Sequence, residues 1–475
     1  MLHFRISVPS EFLVRVGGEK DGYGSGVCKV HLVCYNRRNC RMRTRAATVS
    51  WCLFDFANSS YTTLIITVAF AVYFREVIVN AGNLGDQLWG ASDFFAMGLV
   101  ALLSPVAGAV ADYSGRKKLF LILTTLQAVL ATALLSRLGP GDILPAMILY
   151  VLGTTGFEAG YVFYNAFLPE VSTPKTVGRI SGWGWAVGYV GGLLCLLACR
   201  PWIARPLKTE AGELIPSGIA AYQTSFLIVA AFYLVFALPA FVFLPESRPQ
   251  TGGSRLCGYV VAGFRRVGET LSRLRHYRET AKFIVASLFY TDGINTVVKF
   301  AAIYATATMG FTNAEMIWLF LVLNVVAFPG ALGAGYVADW IGGRRTVILT
   351  LLLWVAVVVT AFLATTKAVF WAMAFGAALG MGSTQAVGRS FMAQITPPLR
   401  ESEFFGFYVL SGKLASIFGP LLFGSLSHWT GSQRIAVISL LPFFLAGIAL
   451  MLWMDEGQAR AAAGRDRTAS VPLSA

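Results

Sequence analysis

The sequence predicts an all-α membrane protein: twelve transmembrane helices in two pseudo-symmetric six-helix bundles. Three observations carry that expectation. First, 56% of the 475 residues are apolar and only 13% are charged, with 48 Gly and a mean hydropathy of +0.65; a soluble domain carries about 25% charge. Second, the apolar residues form runs of the ~20 residues that a helix needs to cross ~30 Å of hydrocarbon. Third, landmark residues recur in both halves of the chain at offsets that agree within one residue, as an internal repeat requires. The composition excludes most soluble enzymes, disordered chains and nucleic-acid binders. No ten-residue segments alternate in polarity, which excludes an outer-membrane barrel.

In chain order, residues 1–48 read as a basic cytosolic N-terminal arm without a packed core. The arm lacks a continuous apolar core and a small-residue cleavage site, so no secretory signal is expected. Its Cys28, His31, Cys34 and Cys40 match no standard metal spacing, and neither metal nor cofactor is expected. Six spans follow, at 50–75, 88–111, 119–138, 144–168, 179–200 and 219–244, giving an N-terminal bundle over 49–244. Residues 245–281 form a basic linker. There Leu256, Val260, Phe264, Val267, Leu271 and Leu274 recur at helical spacing among Arg265, Arg266, Arg273, Arg275 and Arg278. Such a helix is expected to lie on anionic lipid at the cytosolic face. Spans at 282–308, 314–338, 346–366, 369–393, 404–428 and 434–454 make the C-terminal bundle, 282–454. A cytosolic tail covers 455–475.

Seven Trp (Trp51, Trp89, Trp202, Trp340, Trp371, Trp429 and Trp453) fall at span ends, where an interfacial belt is expected. Of the 38 Lys and Arg, 28 lie on the side of the N-terminal arm and seven on the other. Lys and Arg favour cytoplasmic loops. Both termini are therefore expected in the cytosol, and the absence of long inserted loops favours a bacterial plasma membrane over a vacuole. The net charge of +14 reports orientation, not an acidic partner such as nucleic acid.

The repeat is sharpest in one loop motif. Gly108, Asp112, Gly115, Arg116 and Lys117 follow span 2; Gly335, Asp339, Gly342, Arg344 and Arg345 follow span 8. Asp112 and Asp339 are 227 residues apart, and Pro169 and Pro397 are 228 apart. The Gly residues let a neighbouring helix approach. The Asp residues can accept from Arg or from helix N-terminal amides across an interface. A gate between halves is expected; plain retention of a basic loop explains the Lys and Arg but not the Asp.

Charges inside spans are costly and mark function by default. Asp55, Asn58, Ser59 and Thr62 share one face of span 1. Glu158, Tyr161 and Asn165 share one face of span 4, and Asp292, Asn295, Thr296 and Lys299 one face of span 7. Gln385 and Arg389 lie in span 10, and Lys413 in the Gly-rich span 11. Glu158, near mid-span, is the first expected proton-coupling site, with Asp55 or Asp292 second. Arg389 is expected to pair with Glu158 or Asp292, and Lys299 with Asp292. The plain alternative for each is helix packing.

The doubled motif resembles that of the major facilitator superfamily, whose members are 6+6 helix secondary transporters. Tyr113 and Trp340 stand where that family often has a basic residue after the Asp. A narrower resemblance rests on Trp51-Cys-Leu-Phe-Asp55-Phe-Ala-Asn58-Ser59, Phe163-Tyr164-Asn165-Ala-Phe-Leu-Pro169-Glu170, Gly178-Arg179-Ile-Ser181-Gly182-Trp-Gly184-Trp, Asp292-Gly293 and Glu403-Phe404-Phe405-Gly406-Phe407-Tyr408. These are similar to the autophagy-related vacuole amino-acid effluxer family and its bacterial relatives. The resemblance implies alternating access and efflux of a small polar solute, an amino acid; carboxylates desolvated in the cavity make protons the expected coupling ion. A cavity holding both charge signs suits a zwitterion. Uptake or export of another organic solute or drug is the alternative within transport. A membrane scaffold or sensor is the alternative from another class. No Walker loop, zincin motif or nucleophile elbow is present, so neither ATP-driven transport nor enzymatic activity is expected. A monomer is expected.

Overall fold

The computed structural model describes residues 37–80, 83–246, 256–272, 276–305, 309–415 and 418–469. Met1–Met42 and Arg43–Ala475 are separate units. Cys28, His31 and Cys34 of the arm and the linker residues Arg273, Leu274 and Arg275 lie outside the described residues, as do the side chains of Cys40, Leu256, Val260 and Leu271.

The second unit is helical throughout its described length. Its one β contact is an isolated bridge between Lys208 and Leu214. The first half of this unit comprises α1 (Arg45–Val79), α2 (Leu84–Ser114), α3 (Lys117–Leu135), α4 (Ile143–Ala166), α5 (Val177–Ile203) and α6 (Pro216–Phe243). The linker helix α7 (Leu256–Ser272) comes next. The second half comprises α8 (Arg278–Ile303), α9 (Asn313–Ile341), α10 (Gly343–Leu363), α11 (Lys367–Ile395), α12 (Glu401–Leu414), α13 (Phe418–Thr430) and α14 (Gln433–Trp453). A tail helix, α15 (Glu456–Ala469), closes the chain. Among the described residues ten helical segments are long and apolar enough to cross a membrane, α12 and α13 counting together as one. α8 and α11, on two more of the expected spans, have the length but carry the polar stripes that lower their hydropathy.

Local chemistry shapes three of these helices. α1 turns π-helical at Tyr61–Val68 and again at Phe74–Val79. The Thr67 hydroxyl donates to the Thr62 carbonyl, five residues back, at 2.9 Å, which matches the wide turn. π-segments inside helices cluster at functional sites. The segment expected as span 11 is two helices, α12 and α13. The described part of α13 opens at Phe418, with Gly419 and Pro420 next to it. Third, α5 is flat along Gly188, Gly191 and Gly192. A Cβ at Gly191 would strike the Phe56 carbonyl, and one at Gly192 would stand 2.6 Å from Thr63 Oγ1. The stripe thus seats α5 against α1 within one half.

Two expectations are corrected. Trp51 does not belong to an interfacial belt: it is fully buried and its indole N–H donates to the Tyr164 carbonyl at 2.9 Å. Trp340 and Trp429, by contrast, are strongly exposed. The linker helix also turns differently from its apolar pattern. Phe264 is exposed while Arg266 is buried, because a carboxylate of the second half draws the guanidinium in. Arg266 Nε lies 3.2 Å from Glu403 Oε2, and Thr270 Oγ1 donates to Glu403 Oε1 at 2.5 Å.

Candidate functional site

The loop motifs form a matched pair of contacts between the halves. Asp112, at the end of α2, accepts from the backbone amides of Ser402 and Glu403 at 3.1 and 2.9 Å. Asp339, near the end of α9, accepts from the amides of Gly178 and Arg179 at 2.7 and 3.0 Å. Each carboxylate therefore caps the first turn of a helix in the opposite half, where amides lack intrahelical partners and the helix dipole favours a negative charge. The glycines set the approach. A Cβ at Gly108 would overlap the Ser402 carbonyl, and one at Gly178 the Gly335 carbonyl. Gly115 and Gly342 take positive φ, +65° and +95°, as the sharp turns after the two helices require.

The basic residues of the motifs do different work. Lys117 is buried and binds Glu401 at 2.7 Å and Glu170 at 3.0 Å, with Asp112 at 3.7 Å. It thus ties the first half to α12. Arg344 closes the end of α14 by donating to the Met451 and Leu452 carbonyls, both at 2.7 Å. Arg116 and Arg345 are exposed and make no ion pair among the described residues. At this face the halves are closed on one another. α2 meets the broken segment through α12, not through α13.

Glycine removal at this face gives a direct test. Gly108→Val places methyl groups where the Ser402 backbone stands, and overpacking costs about 1–3 kcal/mol. The closed face should lose population about tenfold, since 1.4 kcal/mol is a factor of ten. Thiol-reagent labelling of a cysteine at buried Ala111 (Ala111→Cys) should accelerate accordingly; an unchanged rate would show that the contact does not hold the face shut.

Deeper in the helices, the polar stripes meet. Arg389 of α11 is fully buried. Its Nη1 lies 2.8 Å from Asp55 Oδ2 of α1. Its Nε donates to Ser181 Oγ at 3.0 Å and its Nη2 to the Ser181 carbonyl at 2.7 Å. Three rings surround the guanidinium carbon: Trp51 at 4.7 Å, Trp185 at 5.4 Å and Tyr164 at 5.6 Å. Gly184 makes room, since a Cβ there would stand 2.8 Å from Arg389, Asp55 and Trp51 alike. A second ion pair also crosses between halves: Lys413 Nζ of α12 lies 2.5 Å from Glu158 Oε1 of α4. Lys413 keeps partial exposure, so this pair is the wetter of the two.

The expected partners are thus corrected. Arg389 pairs with Asp55, where Glu158 or Asp292 was expected, and Glu158 has Lys413. Asp292 does not pair with Lys299, which is exposed and has no ion-pair partner among the described residues. The Asp292 carboxylate instead faces α13: Oδ2 accepts from the Gly419 amide at 3.0 Å, and buried Oδ1 has no hydrogen-bond partner. A helix start in the second half took the place of the lysine.

The remaining candidates lie along the same faces. Tyr161 packs edge-on to Trp185, and Trp185 packs against Tyr189, whose hydroxyl is 3.5 Å from Gln385. Asn58 and Asn165 are buried, and Asn58 Nδ2, Tyr164 Oη and Trp185 Nε1 lack hydrogen-bond partners. Asn295, on α8, has polar contacts of its own. Nothing in the sequence pattern assigned a role to Ser181, Tyr164 or Trp185. All three stand in the segments that carry the family resemblance, but being neutral they raise no alarm in an apolar helix. Unlike a charge, they cost little when buried.

A helical membrane body with charge pairs buried between two halves is the make-up of a transporter of the major facilitator type. The solved structures agree. The chain aligns with a major facilitator superfamily transporter, FucP, in its outward conformation, at a TM-score of 0.68 and 14% identity, over 87% of this chain and 98% of that one. The chain belongs to the family described as "Vacuole effluxer Atg22 like", whose model matches residues 95–464. It is 31% identical over 410 residues to the uncharacterized MFS-type transporter YxiO of Bacillus subtilis, covering 86% of this chain and 94% of that one. To Autophagy-related protein 22-1 of Penicillium rubens it is 25% identical over 299 residues, 58% of this chain and 49% of that one. The chain is a multi-pass membrane transporter, and its relatives of this type are transporters rather than enzymes.

Proposed function

We propose that this transporter exports a zwitterionic amino acid by alternating access, with protons as the coupling ion. One observation carries the reading: each half presents charge to the other at two levels, Asp55 to Arg389 and Glu158 to Lys413. Buried charges left without partners are costly. The halves therefore part readily only when other charges replace the lost partners. A zwitterion brings both signs at once, and a proton on Glu158 removes one side of the wetter pair. The "vacuole effluxer" description of the family supports efflux, and the relative from Bacillus subtilis supports a bacterial membrane.

In this reading the division into bundles 49–244 and 282–454 is the functional one, and the motif face is cytosolic, as the Lys and Arg distribution favours. The described state then faces outward. Exposed Val261 and Phe264 with Arg265 on α7 suit contact with anionic lipid, and a single copy suffices for the cycle. The test is flux in proteoliposomes loaded with labelled amino acids under an imposed pH gradient. Amino-acid release that grows with the gradient is expected. Correctly folded protein that moves no amino acid would refute the substrate; movement indifferent to the gradient would remove the proton.

A further inference from the structure

Every group that holds the Arg389 guanidinium belongs to the first half. Trp51 and Asp55 are on α1, Tyr164 on α4, and Ser181 and Trp185 on α5. Trp51 and Tyr164 are stacked on each other at 4.6 Å, and Trp51 is pinned by its bond to the Tyr164 carbonyl. The rings, the carboxylate and the Ser181 oxygens therefore form a preassembled cage, and Arg389 is a guest from the other half. Guanidinium and ammonium ions prefer such sites, where a carboxylate, a carbonyl and aromatic faces replace lost water.

We infer that this first-half cage is a binding site for the organic cation of the cargo, a primary ammonium or guanidinium group, and that Arg389 competes for it. The reason is geometric. Arg389 rides on α11, so it leaves the cage when the halves separate at the motif face. Asp55 then remains in a largely apolar pocket with nothing opposite it, a costly state for a carboxylate. A cationic group entering from the motif face satisfies Asp55 and the rings. Reclosure returns Arg389 to the cage and displaces that group towards the opposite face. Tyr164 Oη and Trp185 Nε1 of the cage, and Asn58 Nδ2 one helical turn from Asp55, are donors without partners, the type of group a carboxylate attached to the same cation would need. The inference rests on the transport reading for its direction, while the cage itself can be tested without transport.

The probe is methylguanidinium chloride, with sodium chloride at equal ionic strength as control. Arg389→Ala in lipid nanodiscs empties the cage. Calorimetric titration should show saturable binding, at least tenfold tighter than in the double variant Asp55→Asn/Arg389→Ala and than in the wild type, where Arg389 fills the site. A matching rise in the thermal midpoint should appear only in Arg389→Ala. Equal responses in the single and double variants overturn the inference. If Arg389→Ala does not fold, Gly108→Val decides, because it retains Arg389 but opens the motif face. Methylguanidinium binding there, lost on adding Asp55→Asn, supports the cage; binding unaffected by Asp55→Asn overturns it. Absence of amino-acid flux in the wild type would sink the cargo reading and leave these binding results standing.

Discussion

Asp55→Asn should be among the most damaging single substitutions in the chain. It leaves the Arg389 guanidinium buried without a counter-charge, and breaking one side of a buried pair costs about 3–5 kcal/mol. The three rings and the two Ser181 oxygens remain, and cation–π contacts are worth up to about 2 kcal/mol when desolvated. The loss is therefore expected near the lower end of that range. Arg389→Gln should cost a similar amount by stranding Asp55. The double variant Asp55→Asn/Arg389→Gln should recover most of the loss, because neutral groups of similar size often match a buried ion pair in stability. Thermal midpoints in nanodiscs, read as a double-mutant cycle, check this. A double variant as unstable as the sum of the singles would mean that the two residues do not act as a pair. Recovered stability without recovered flux would place the pair in the transport cycle rather than in the scaffold.

Glu158→Gln carries the second large expectation. Gln cannot be deprotonated, so it imitates a Glu158 that always holds its proton, and Lys413 loses its partner. Gradient-driven accumulation of substrate should fall by about tenfold or more, within the 5–150-fold range of typical coupling free energies. Exchange of labelled for unlabelled substrate, which needs no net proton movement, should survive. Both are measured in the same proteoliposomes. Equal loss of exchange and accumulation would assign Glu158 to substrate binding instead of coupling. Lys413→Gln separates the two further: it frees Glu158 without neutralising it, so gradient dependence should persist.

The contrast between the two pairs follows from their surroundings. Asp55 and Arg389 are almost fully enclosed, whereas Lys413 retains partial exposure beside Glu158. Water reaches the second pair more easily than the first. Asp292, with one carboxylate oxygen unpartnered beside α13, is the second candidate in the proposed proton coupling. Asp292→Asn should then weaken gradient dependence less than Glu158→Gln does.

Much of this was legible in the chain. A bilayer penalises charge so strongly that Asp55, Glu158, Asp292, Lys299, Arg389 and Lys413 stand out against their apolar runs. The doubled Asp motif is also legible, since a carboxylate capping a helix of the other half needs the same local spacing twice. The choice of partners was not legible. Arg389 is 334 positions from Asp55, and which of three carboxylates it meets depends on how α11 is rotated and how deeply it sits against α1 and α5. Gly184 leaves the room that the guanidinium occupies, while close contacts at Gly178 and Gly182 seat α5 against α9 of the other half. Lys299 and Asp292 show the opposite error: shared helical spacing brings side chains near each other, yet a neighbouring helix start bound the carboxylate first.

The sequence by itself therefore determined the solvent of this protein, its repeat and the short roster of polar groups within its helices. These follow from transfer free energy and periodicity, which are properties of single segments. The tertiary structure alone decided that Arg389 enters a cage of Trp51, Tyr164 and Trp185, that Lys413 answers Glu158, and that the linker helix reaches Glu403. Those are matters of helix rotation, depth and backbone approach. They are set by the packing of many small contacts between segments, and no single segment encodes them.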